Sequence, residues 1–441
     1  MRKETLMSRS FIVRVRNAMT LTALAALTLS PLQAAAAPQP IKVGAVFPFS
    51  GPLALLGQDS FDGANVALEM INAKGGIDGR KIEWVKADSP NAEQANSQAE
   101  RLISQQGLKI LFGSYASPIA VAASQVAERH HVIYWEEGAW TSTLFDNHPK
   151  YVFRVNVYAV PAGNAAVEYA ANAIAPKIGK TAKTLKVAIV NEDGPFGTSV
   201  ANAEVAEAQK LGVDVVTHLP YSAKTNDMTS LVLKLKASNP DVLLATSYIN
   251  DATLLIKTMR AQSFRPRAIV GASAGFGLLA LGKNLGNDVN GILEADAPSI
   301  INPKGLHPAG EALYKEFIDK FKADTGREPD GFSYMGFTGA YSLFHDVLPK
   351  AKDPTNTDDI RAAALAANVP EGSYPNGWGL KFDETGQNTH MFAAMIQWQK
   401  GAPVIVGPTS IAVGKPEMIP LPNWAYVPLH VAARIGSLLG L

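Results

Sequence analysis

From Ile41 onward, short β-branched runs alternate with longer stretches whose apolar residues recur at helical spacing. That alternation restricts the chain to parallel strands joined by helices. Residues 41–47 read as a first strand and 59–73 as a helix, with Phe61, Ala64, Leu68 and Ile71 on one face. Lys74, Gly75 and Gly76 end that helix. Strands at 81–87, 109–112 and 132–135 then alternate with helices at 91–105 and 118–129. After a helix over 161–175 the pattern starts again, with strands at 186–190, 213–218, 242–246 and 268–270 and helices at 196–210, 226–237 and 250–262. Two similar doubly wound sheets in one chain predict a bilobed α/β molecule. Ligands bind such sheets at the carboxyl ends of the strands, so facing lobes share one cleft.

Length supports two lobes: 441 residues at 47% hydrophobic and 18% charged are too many and too apolar for one small domain or a disordered chain. With 40 basic against 39 acidic residues there is no broad positive field for nucleic acid or an anionic membrane, and neither is expected as a partner. The start is a processing signal. Arg9, Arg14 and Arg16 precede an apolar stretch over 18–32 that is interrupted at Pro31, then Gln33 and four alanines, Ala34 to Ala37. This predicts a signal peptide over 1–37, cut near Ala36 or Ala37, and a mature protein that is soluble in the periplasm. The run is too short and broken for a membrane anchor. With no cysteine in the chain, neither a disulfide framework nor a lipoprotein anchor is available. The apolar end over 430–441 is too short to span a membrane and is expected to pack on a lobe.

Several local patterns occur in a telling order: Phe47-Pro48-Phe49-Ser50-Gly51-Pro52, Gly57-Gln58, Gly63-Ala64, and Ile71 to Ile77 reading INAKGGI. They continue with Asn191 to Gly197 reading NEDGPFG, Asn239-Pro240-Asp241 and Phe332-Ser333-Tyr334. In this order they resemble the periplasmic leucine/isoleucine/valine-binding proteins, which have the type I solute-binding fold, and the resemblance runs from about 41 to about 408. It implies a small-molecule solute, the permease and ATPase subunits of an ABC importer as partners, no cofactor, a monomer, and two lobes joined by three crossing strands. The expected lobes are 41–157 with about 300–378, and 158–299 with about 379–441.

Position by position, the resemblance also implies a pocket. Ser117 matches a serine that holds the ligand carboxylate, although a serine before Pro118 also suits a helix cap. Gly138 and Ala139 match backbone amides facing that carboxylate. Phe196 and Tyr248 match aromatic residues of the second lobe that close over the ligand, and Leu56 matches an aromatic position on the first lobe's opening loop.

Departures from the family bear on the ligand. Trp140 stands where amino-acid binders have threonine, and Ala272 and Ser273 stand where they place the acid that meets the ligand's ammonium. A buried ammonium without a carboxylate is costly. Either Glu136, Glu137 or Asp251 takes that role, or the ligand is not a free α-amino acid. Glu136 and Glu137 are unusual beside a carboxylate site unless both point to solvent. Tyr134, Trp135, Trp140, Phe196 and Tyr248 together would line the cleft with rings, suiting a flat or bulky acid or amide as well as leucine.

The competing class is a serine hydrolase. Gly271-Ala272-Ser273-Ala274-Gly275 fits the GxSxG elbow and follows a strand, and Asp296 with His307, or Asp346 with His390, follow in the required order. Against this, there is no His-Gly-Gly oxyanion loop, and a hydrolase needs one continuous sheet. There is also no HExxH and no phosphate loop, and the eight histidines are scattered except for His130 and His131, an adjacent pair whose rings point apart; no metal site is expected.

Overall fold

Two sheets organise the molecule. The computed structural model describes residues 38–299 and 301–424, so the signal segment and the 430–441 end lie outside the described residues. The first sheet has the order β2-β1-β3-β4-β5 and is parallel throughout. Its strands are β1 (Ile41–Phe47), β2 (Ile82–Asp88), β3 (Ile110–Gly113), β4 (Ile133–Glu136) and β5 (Val152–Arg154). Helices α1 (Ala54–Ala73), α2 (Ala92–Glu100) and α3 (Ser117–Arg129) make the crossovers between its first four strands.

The second sheet repeats this plan. After α4 (Ala159–Tyr169) come β6 (Lys186–Glu192), α5 (Pro195–Leu211), β7 (Asp214–Tyr221), α6 (Thr229–Ser238), β8 (Val242–Thr246), α7 (Ile249–Ala261), β9 (Ala268–Ala272), α8 (Leu279–Leu285) and β10 (Leu293–Asp296). These strands lie parallel in the order β7-β6-β8-β9-β10, and an antiparallel pair, β11 (Ala394–Gln399) and β12 (Ala402–Gly407), extends the edge. Both parallel sets reverse direction beside their first strand, the switch point where open α/β sheets take ligands.

The chain passes between the sheets three times: after Arg154, after Asp296, and before Ala394. On the second passage it adds α9 (Pro308–Thr325), α10 (Gly331–Tyr341) and α11 (Thr357–Ala366). Helices α9 and α10 pack on α1 of the first sheet. Helix α10 can approach α1 closely because glycines face each other's backbone. A methyl on Gly63 would stand 1.9 Å from the Ser333 carbonyl oxygen, and one on Gly336 would stand 1.8 Å from that of Ser60.

Strand interiors form near-continuous apolar runs, as sheets covered on both faces require; β8 reads Val-Leu-Leu-Ala-Thr and is buried along its length. Helix α1 begins at Ala54, earlier than the expected 59, because Ala54-Leu55-Leu56 already follow the helical pattern after Gly51-Pro52. Strand β5 and the three strands at the far edge of the second sheet were not expected. Three or four residues, as in β5 and β10, are too few to show a period.

Candidate functional site

Between the carboxyl ends of the two sheets lies a narrow, nearly closed cleft. The first sheet contributes Tyr115, two residues past β3, with Gly138 and Trp140 from the loop after β4. From the second come Phe196 after β6, Tyr248 after β8, and Ser273 and Ala274 after β9. Phe332, in the first turn of α10, completes the wall. One ring pair meets across the cleft and two line its sides. Trp140 stands edge-on to Phe196 at 6.0 Å between centroids, Phe196 lies 5.4 Å from Tyr248, and Tyr115 packs edge-on to Phe332 at 5.4 Å.

Trp140, Phe196, Tyr248, Ser273 and Gly138 line this one cleft. Tyr115 and Phe332 were missed. Tyr115 lies in the Gly113–Ser117 loop already marked for ligand contact, so its position was the available signal. Phe332 lies 217 residues beyond its packing partner Tyr115, a pairing that no local pattern reveals.

The remaining expectations need correction. Leu56 sits inside α1, 2% exposed, and packs in the core. Trp135 and Tyr134 are on β4 and fully buried inside the lobe. The Trp135 indole donates to the Gly339 carbonyl, and the Tyr134 hydroxyl lies between the Ser114 amide and Glu136. Ala272 is the last residue of β9, in ladder contact with Thr246 and Ala295, and is not part of the wall. Ser117 opens α3 without capping it, and its hydroxyl accepts the Thr141 amide at 3.2 Å.

The two acids after β4 do not face solvent. Glu136 and Glu137 are 0% and 1% exposed. Glu136 folds back under its own loop: Oε1 accepts the amides of Gly138 at 2.8 Å and Ala139 at 2.7 Å, and Oε2 accepts the Tyr134 hydroxyl at 2.9 Å. The amide pair expected to hold a ligand carboxylate therefore already holds one from the chain. Burial and the neighbouring Glu137 push the Glu136 carboxyl well above its usual range, against the pull of the two amides. Burial pushes Glu137 up to about 8, partly offset by the Ser60 hydroxyl, which donates to it at 2.7 Å. Arg154, buried beside this loop, donates to the Ala139 and Thr141 carbonyls and to Gln387.

Asp251 has a structural task as well. It accepts the Tyr221 hydroxyl at 2.6 Å and the Tyr248 amide at 3.2 Å, closing a capping box at the start of α7; burial raises it to about 6. At the start of α5 the Glu192 carboxylate, at the end of β6, accepts the amides of Gly194 and Gly197.

Ser273 has part of the elbow's local form. It follows β9 and has φ 41°, and Ala274 has φ 33°, two successive left-handed residues that L side chains rarely adopt. Its neighbour is the carboxyl of Asp296, which burial raises to about 7. The histidines that would complete a triad are used elsewhere: His307 caps α9 and His390 bonds the Val369 carbonyl. Packing explains both glycines of the motif. A methyl on Gly271 would meet the Phe276 ring at 2.1 Å, and one on Gly275 would meet the Tyr248 carbonyl oxygen at 2.5 Å. His130 pairs with Glu100, and His131 stacks on Tyr151.

Residues 40–403 match the sequence pattern of a family described as Periplasmic binding protein. The chain belongs to that family. Membership of that family makes it a solute-binding protein and not an enzyme, which sets aside the serine-hydrolase alternative. It is 38% identical over 395 residues to Leu/Ile/Val-binding protein homolog 7 of Brucella abortus, an alignment covering 89% of this chain and 98% of the relative. With homolog 8 of the same organism it shares 34% over 377 residues, covering 85% and 92%.

Among solved structures it resembles the leucine-binding protein LivK of Thermotoga maritima, with a TM-score of 0.72 and 18% identity over 84% of this chain and 98% of that one. LivJ of Streptococcus pneumoniae in complex with isoleucine gives a TM-score of 0.71 and 22% identity, covering 84% and 100%. An R. palustris solute-binding protein in complex with benzoate gives 0.70 and 20%, covering 85% and 98%. These likenesses establish the type I periplasmic binding fold. Among the described residues no helix is long and apolar enough to cross a membrane, and no group of three or more His, Cys, Asp or Glu could hold a metal ion.

Proposed function

We propose that this protein works in the periplasm, delivering to the permease and ATPase of an importer a small hydrophobic amino acid or a related carboxylate or amide. The ligand binds in the cleft between the sheets, with Trp140 on one side and Phe196 and Tyr248 on the other. The carrying observation is the contact of rings from opposite sheets, Trp140 to Phe196 at 6.0 Å, extended within the second sheet's side by Phe196 to Tyr248 at 5.4 Å. All three leave carboxyl ends of strands, where this architecture places ligands. The relatives named for leucine, isoleucine and valine, and the neighbours solved with isoleucine and benzoate, support a small ligand with an apolar body. In this reading the lobes are 41–157 with about 300–378 and 158–299 with about 379–441, and a monomer suffices.

A thermal-shift screen of the chain from Pro38 onward tests it, using branched and aromatic amino acids, their deaminated acids, and amides. A ligand at about 100 times its Kd adds about 2.7 kcal/mol of stability. Tyr248→Ala is expected to weaken binding roughly tenfold or more while the fold persists, since it removes an aromatic wall worth about 1.4 kcal/mol or more. An unchanged Kd in that variant refutes the cleft as the solute site.

A further inference from the structure

The wall of the cleft carries no charge: it is made of aromatic rings, Gly138, Ser273 and Ala274. A charged head group enclosed there would need a counter-ion or a full set of hydrogen bonds. Neither is offered. The amides of Gly138 and Ala139 are held by Glu136. Arg154 is committed to carbonyls and Gln387. Asp251 and Glu192 are bound to the amides that start their helices, Asp296 is bound to the Ala297 amide and Ser273, and Glu137 accepts the Ser60 hydroxyl; among the described residues no acid lines the cleft. One polar group in the wall is unsatisfied. The indole of Trp140, 1% exposed, has its Nε1–H buried without a partner, a costly state for a donor unless something fills it.

We infer that the ligand is an apolar small molecule with an uncharged head group whose carbonyl oxygen accepts a hydrogen bond from Trp140 Nε1, its body covered by the rings of Phe196 and Tyr248. The inference rests on the proposed reading that this cleft is the solute site. A planar acceptor suits a slot walled by rings, and it needs neither the amide pair nor a carboxylate.

Calorimetric titration of the chain from Pro38 onward with matched sets tests this: benzamide, benzoate and phenylalanine, and 4-methylpentanamide, 4-methylpentanoate and leucine. Each amide is expected to bind at least tenfold more tightly than its acid and amino-acid partners. Trp140→Phe keeps a ring and removes the donor, and it is expected to weaken amide binding about three- to tenfold. Tighter binding of an acid or amino acid, no binding of either amide, or an amide affinity untouched by Trp140→Phe overturns the inference. The ligand series on the unaltered chain decides even where the variant fails to fold. Tight acid binding that Tyr248→Ala weakens leaves the cleft reading intact and removes the uncharged head group alone, whereas binding that Tyr248→Ala does not touch removes the cleft reading itself.

Discussion

Buried carboxylic acids shape this protein residue by residue, and Glu204 is the plainest case. It lies in α5, 0% exposed, with both carboxylate oxygens lacking a partner, and burial alone raises it to about 8. In the unfolded chain it titrates near 4.5, so between 4.5 and about 8 the folded state binds the extra proton. Stability from this group is therefore complete below 4.5 and declines as pH rises through that window. Glu204→Gln is expected to match the parent near pH 5 and to exceed it at pH 8 by ~2 kcal/mol or more, read from urea midpoints at the two pH values. A constant offset across pH would mean the carboxyl is not held neutral. Which acids are buried was not legible in the sequence. Glu136 and Glu137 end a short strand, where alternation gives opposite directions and no hint that Glu136 curls back onto Gly138 and Ala139. The ring residues were legible, because Trp140, Phe196 and Tyr248 each follow the end of a recognisable strand.

Elements with long apolar patterns could be read directly, and those defined by contacts distant in sequence could not. The parallel strands β1, β6 and β8 and the helices between them show their period within one segment. The β11–β12 pair and the placement of α10 on α1 depend on residues far apart in sequence, so no window contains both partners. The α1–α10 crossing nonetheless left a trace in Gly63, inside the Gly63-Ala64 pair, and its counterpart Gly336. At 1.9 Å and 1.8 Å from opposing carbonyls neither position has room for a methyl, and backbone cannot yield as a side-chain tip would. Gly63→Ala and Gly336→Ala are each expected to cost about 1–3 kcal/mol or more in chemical unfolding, by forcing the helices apart. Helix propensity alone would favour alanine by up to ~1 kcal/mol, so a stabilised variant would show that the helices do not approach this closely.

At the scale of the whole molecule, the cleft is closed by contacts between its two sides. The Ser199 hydroxyl on α5 accepts the Ser142 amide at 3.1 Å and lies 3.3 Å from the Thr141 hydroxyl, beside the edge-on contact of Trp140 and Phe196. A solute touching both lobes favours this state over an open one, and a solute touching one lobe favours neither. The tryptophans make closure observable. Trp135, Trp378 and Trp398 are fully buried within their lobes, each with its indole bonded to a backbone carbonyl, while Trp140 faces the cleft. Saturation with a bound solute should contract the radius of gyration in solution scattering and change the intrinsic fluorescence in the same concentration range. Trp140→Phe should abolish most of the fluorescence change and preserve the contraction, because the ring still meets Phe196. A fluorescence change that survives in this variant would place the moving contact elsewhere. A radius unchanged by any solute that binds would mean the lobes are already closed in the free protein, and the importer would then have to distinguish loaded from empty by something other than shape.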